Sequence, residues 1–88
     1  MPEVDLVIKN QLGLHARAAS KFVKIAANFN ADISVSKDGQ SVSGLSIMGL
    51  MMLAAAIGDT VTLTTEGPQA TEALYALKEL IDDKFQET

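Results

Sequence analysis

The sequence predicts an α+β fold: a two-layer open-faced sandwich in the order βαββαβα, with four strands in one antiparallel sheet and three helices on one face. Three observations carry that expectation. Three segments alternate apolar and polar residues, three repeat apolar residues at the helical period, and Asp38-Gly39 turns the chain back through a tight turn into a fourth, polar strand.

In the first strand Val4, Leu6 and Ile8 alternate with Glu3, Asp5 and Lys9, although Val7 interrupts the pattern. Asn10-Gln11 and Gly13 read as a loop, and Leu14 stands where an apolar residue pins the start of a helix. The first helix is expected from about Ala16 to Asn28, with Ala16, Ala19, Val23 and Ala26 as a narrow stripe against the sheet. Ile33 and Val35, alternating with Asp32, Ser34 and Ser36, mark the second strand. Asp38-Gly39 tolerates the positive φ of a type I′ turn and returns the chain into a short, polar edge strand over residues 40–43. Ser46 is placed to cap a second helix running to about Ala54 or Ala55, with Gly58 as its stop. Val61 and Leu63 alternate with threonines in the fourth strand. The third helix opens on Pro68 and carries Ala70, Leu74, Leu77, Ile81 and Phe85 on one face, with Glu72 in its first turns and Lys84 in its last.

At 88 residues the chain has room for one domain, residues 1–88, and no repeat or linker divides it. A hydrophobic share of 48% against 20% charged residues is that of a chain with a core, not of a disordered one. There is no cysteine and one histidine, so neither a disulfide framework nor a metal site is expected. A net charge of −4 argues against nucleic acid as a partner, and the longest apolar run, residues 50–57, is too short for membrane insertion. Glu3 and Asp5 stand where a secretory signal would be positive, so a cytoplasmic location is expected.

Chemistry concentrates in Gly13-Leu14-His15-Ala16-Arg17. A helix start attracts anions because its first N–H groups lack intrahelical acceptors and the macrodipole is positive there. A lone histidine at such a place is by itself more commonly a surface or capping residue. Here Arg17 follows, able to bind phosphate oxygens bidentately, so nucleophile, anion pocket and charge clamp fall within three residues. Arg17, Lys21 and Lys24 lie within an arc of about 60° on the first helix. With Lys9 they put four of the seven basic residues into the first 24 positions, a bias suited to steering acidic partners. On the second helix Leu50 and Leu53 face the core together, which turns Ile47, Met48 and Met51 partly toward water. Plastic core filling and an exposed docking patch are the two meanings such residues can have. No metal cluster, nucleotide-binding loop or general base is present, so no cofactor and no enzymatic turnover of its own are expected.

With Gly-Leu-His-Ala-Arg at 13–17, Asp38-Gly39 at the hairpin and Ser46-Ile47-Met48-Gly49 at the second helix, the sequence resembles the histidine-containing phosphocarrier (HPr) family of the bacterial phosphotransferase system over nearly its whole length. The resemblance implies the sheet order 1-4-2-3. It implies His15 as phosphoryl acceptor through Nδ1, supplied by phospho-enzyme I and relieved by a histidine of an enzyme IIA-type domain, with Arg17 steadying the phosphoryl group. Ser46 would be the target of a dedicated serine kinase/phosphorylase. Ala16, Ser20, Lys21, Lys24, Ile47, Met48 and Met51 would form the partner-binding surface of a monomer. A regulatory role in the nitrogen-related branch or in carbon control, exerted by binding and through Ser46, is the alternative. One departure is plain: the family usually has proline where Ala18 stands, so the fixed φ in the first helical turn is lost.

Overall fold

A computed structural model describes residues 2–87. The chain runs β1 (Glu3–Val7), α1 (Ala16–Ala26), β2 (Asp32–Lys37), β3 (Gln40–Ser43), α2 (Ile47–Met52), β4 (Thr60–Glu66) and α3 (Ala70–Asp82), followed by one 3₁₀ turn (Lys84–Gln86). The four strands form one sheet in the order β1-β4-β2-β3, antiparallel throughout. The expected architecture and strand order are therefore both present.

The alternation read in the strands separates two faces. Leu6, Ile33, Val35, Val61 and Leu63 are buried in one cluster with side chains from all three helices. On the other face Asp5, Thr62, Ser36 and Ser41 lie side by side across the four strands. Thr62 donates its hydroxyl to Asp5 at 2.7 Å there. One face of the sheet is thus packed and the other wet, the arrangement that alternating strands favour. At the hairpin Asp38 and Gly39 both have positive φ, 51° and 83°, as the turn demands.

The helices depart from expectation in rotation and length. α1 ends at Ala26 with Ala27 as its cap, short of Asn28. Its buried face is Ala18, Ala19, Phe22 and Ala26, whereas Ala16 is exposed and Val23 half-buried. Phe22, the largest apolar side chain of the helix, has the most area to remove from water and sets the rotation. Ala18 thereby becomes a core residue.

α2 stops at Met52, before the expected Ala54 or Ala55. Leu53 and Ala54 close it with tight i to i−3 hydrogen bonds, and Ala54 turns the chain away with φ 53°. Leu50 and Leu53 are buried, as their spacing indicated. Gly58 is not the helix stop: it belongs to the turn into β4, where its N–H donates to Ile8 at 2.8 Å.

α3 begins at Ala70, capped by Gln69, so Pro68 lies outside it. Its buried residues are Ala70, Ala73, Leu77, Leu80 and Ile81, with Leu74 only half-buried. Phe85 is fully buried but not on the helix. Lys84, Phe85 and Gln86 all take left-handed φ, between 55° and 63°, and fold Phe85 back onto the core. Lys84 consequently lies beyond the last helical turn instead of in it. Such a run of non-glycine residues persists only where its surroundings hold it.

Candidate functional site

His15 is the N-cap of α1, with extended backbone (φ −83°, ψ −179°) and a carbonyl that accepts from Ala19 N–H at 2.8 Å. Its imidazole makes no capping hydrogen bond. The loop before it is firmly held. Leu14 is buried, as the pinning role required, and its N–H donates to Ala55 at 2.9 Å, tying this loop to the segment after α2. Gly13 has φ +66° and N–H on Asn10 at 3.2 Å, while the Asn10 amide donates back to the Gly13 carbonyl at 2.6 Å. These contacts tie down the loop before His15, and none of them involves Ala18.

The imidazole Nε2 lies 3.2 Å from Glu87 Oε2, and Asn10 Nδ2 donates to the same oxygen at 2.6 Å. Histidine and glutamate are both largely covered, with side chains 26% and 20% exposed. An ionised carboxylate only accepts, so this contact calls for the proton on Nε2; in a neutral ring of that tautomer the lone pair is on Nδ1, which has no hydrogen-bond partner among the described residues. Asn10 and Glu87 carry no local motif, being separated from each other by 77 positions. The usable signal was Phe85: an apolar residue on the core stripe brings the two residues after it back to the body of the protein.

Arg17 sits in the first turn of α1, exposed, with no hydrogen bond or ion pair among the described residues. The basic stripe divides. Lys24 is exposed, but Lys21 is half-buried and donates to the Phe85 carbonyl at 2.9 Å, which ties α1 to the closing turn. Ala16 is exposed and Ser20 half-buried on the same helix.

Ser46 caps α2, its Oγ accepting from Gly49 N–H at 2.9 Å. Ile47, Met48 and Met51 are exposed, Met48 to 73%, and Leu45 and Met52 join them. The last two were missed because sequence spacing ranks residues by helical face, whereas a six-residue helix has too little length to cover either flank. Packing of α1 against α2 places this apolar surface beside the helix that begins at His15. Among the described residues no group of acidic and histidine side chains is arranged to hold a metal ion, and no helix is long and apolar enough to cross a membrane.

Residues 2–83 match the family model described as "PTS HPr component phosphorylation site". The chain is 51% identical over 87 residues to the phosphocarrier protein HPr of Cupriavidus necator, covering 99% of this chain and 98% of the relative. To the phosphocarrier protein HPr of Pseudomonas aeruginosa it is 50% identical over 88 residues, with 99% and 98% covered. The crystal structure of HPr-C-His from Thermoanaerobacter tengcongensis superposes with a TM-score of 0.95 at 46% identity, covering 100% of this chain and 99% of that one. Likeness of this extent in sequence and fold together establishes kinship: the chain belongs to the HPr family of phosphotransferase-system phosphocarriers.

Proposed function

We propose that this protein accepts a phosphoryl group on His15 Nδ1 from phospho-enzyme I and passes it to a histidine of an enzyme IIA-type domain, acting as a carrier for those enzymes. The observation that carries the reading is the state of the imidazole: the chain's one histidine, at a helix start, with Nε2 engaged by Glu87 and Nδ1 without a partner among the described residues. A nucleophilic nitrogen beside free helical N–H groups suits a phosphoryl group that must be held and then released. Arg17, exposed and unpaired among the described residues, is available to the phosphoryl oxygens. Leu45, Ile47, Met48, Met51 and Met52 would seat the partners, with Ala16, Ser20 and Lys24 completing the surface and Lys21 meeting it from its tie to Phe85. Cytoplasmic enzymes of this system would be the partners, and no cofactor is required.

Ser46 supports a regulatory role beside this one. Its hydroxyl lies at the edge of the apolar surface, so a phosphate there would put about −1.5 to −2 charge next to residues that need a dry partner. A serine kinase/phosphorylase would be the enzyme concerned.

The direct test is incubation with enzyme I and labelled phosphoenolpyruvate beside a His15→Ala control. Acid-labile, base-stable label on the wild type alone is the expected result. Equal labelling of both proteins, or none of either with an enzyme I shown to be active, would remove the proposal.

A further inference from the structure

We infer that Glu87 is a positioning residue for phosphoryl transfer: its carboxylate keeps the proton of His15 on Nε2, reserves the lone pair of Nδ1 for phosphorus, and balances the positive charge that the ring acquires. The inference rests on the phosphocarrier reading of His15 and names a residue outside the motif around it.

Two independent tethers place the carboxylate. From one side, Asn10 donates to Glu87 Oε2 at 2.6 Å. Asn10 is 1% exposed, and the same amide nitrogen bonds the Gly13 carbonyl at 2.6 Å, so the carboxylate is fastened to the loop that presents His15. From the other side, the backbone leading to Glu87 is fixed by the buried Phe85 ring, by Lys21 on the Phe85 carbonyl at 2.9 Å, and by Glu87 N–H on Lys84 at 3.0 Å. The left-handed run at Lys84, Phe85 and Gln86 is what turns the chain so that both tethers close. A chance surface contact of a glutamate with a histidine would have neither.

The chemistry follows from the contact. As the Nδ1 lone pair forms the new phosphorus–nitrogen bond, the bond from phosphorus to the donor's histidine nitrogen breaks and its electron pair returns to that nitrogen. Nε2 keeps its proton throughout, and the His15 ring takes on imidazolium character. A carboxylate 3.2 Å from Nε2, in surroundings that leave both side chains largely covered, stabilises that charge without itself being protonated. The logic is that of the acid in a Ser-His-Asp triad, which orients the imidazole and offsets its charge.

The test combines ¹⁵N NMR of the His15 ring nitrogens in the neutral, unphosphorylated protein with the kinetics of phosphorylation by phospho-enzyme I. Wild type is expected to carry the proton on Nε2, and after transfer the phosphoryl group on Nδ1. Glu87→Gln retains an acceptor oxygen without the charge, so the tautomer should persist while the maximal rate falls about ten-fold at unchanged KM. Glu87→Ala should lose at least as much rate and should show exchange between both tautomers. A wild-type ring protonated on Nδ1, or a Glu87→Gln rate within about two-fold of wild type, would overturn the inference. Gln is nearly isosteric with Glu, and equal thermal unfolding of the two proteins excludes misfolding as the cause. If active enzyme I transfers nothing to wild type, the carrier reading fails and the transfer role with it. The ring spectrum still reports separately whether Glu87 holds Nε2–H.

Discussion

Gly13 is held to glycine twice over. Its φ of +66° lies in the region that L side chains avoid, and a Cβ at this position would collide with the Ala55 carbonyl oxygen, the same oxygen that accepts from Leu14. Gly13→Ala must therefore either push away the segment after α2 or give up the loop that carries Asn10 and His15. A cost of about 2 kcal/mol is expected, from the strained φ and the displaced hydrogen bond together. For a domain of this size that lowers the unfolding midpoint by about 8–16 °C, which calorimetry would measure. An alanine variant melting within about 2 °C of wild type would mean that the loop adapts, and the tight presentation of His15 would be lost from the account.

At the scale of elements, α2 and α3 make opposite use of charge. Ser46→Ala removes the hydroxyl that receives Gly49 N–H and should cost about 1 kcal/mol. Ser46→Asp keeps an acceptor there and adds a negative charge at the favourable end of the helix, so its stability should stay near wild type. The same charge lies beside the exposed Met48 and Met51, and the affinity of Ser46→Asp for enzyme I should fall about ten-fold. Denaturation and titration calorimetry on the two variants separate the effects; an Asp variant that binds like wild type would leave Ser46 with a structural role only. In α3, Asp82 stands at the helix end where the dipole disfavours a carboxylate. Hydrogen bonding from Lys78 at 2.8 Å, and after it the charges of Lys78 and Lys9, hold its carboxyl below the usual range. A depressed folded-state value stabilises above the unfolded carboxylate range and is lost as pH falls through the folded one. Asp82→Asn should accordingly melt slightly lower than wild type at neutral pH, the pair being exposed, and the gap should close in acid below the usual carboxylate range, once the Asp82 carboxyl is protonated in the folded protein too. A gap that persists in acid would show that packing, not charge, is what the asparagine disturbs.

For the whole molecule, legibility followed the range of the interactions. Strand alternation, the Asp38-Gly39 hairpin, the Ser46 cap and the burial of Leu50 and Leu53 depend on neighbours a few residues away, and all are present. The rotation of α1 depended on Phe22 competing with alanines for the core, which period alone does not weigh. The early end of α2 and the turn that buries Phe85 depend on tertiary packing, and the contacts of Glu87 with Asn10 and His15 bridge 77 and 72 positions. Local pattern thus located His15 and could not name what holds it. Charge shows the same division. The chain is acidic overall, yet Arg17 and Lys24 lie exposed on the helix that begins at His15, with Lys21 half-buried between them. Such a local field raises encounter rates with acidic partners more than it tightens the docked complex, and salt screens it over about 8–10 Å. Association with enzyme I should therefore slow several-fold between about 0.02 and 0.2 M salt, with dissociation little changed. Lys24→Glu should lower the association rate about three- to ten-fold and flatten that salt dependence, whereas Lys24→Gln should do about half as much on a logarithmic scale. Stopped-flow association at several salt concentrations reads both quantities. If Lys24→Glu changes the dissociation rate instead, Lys24 lies inside the dry contact, and the steering field must be assigned to Arg17 and Lys9.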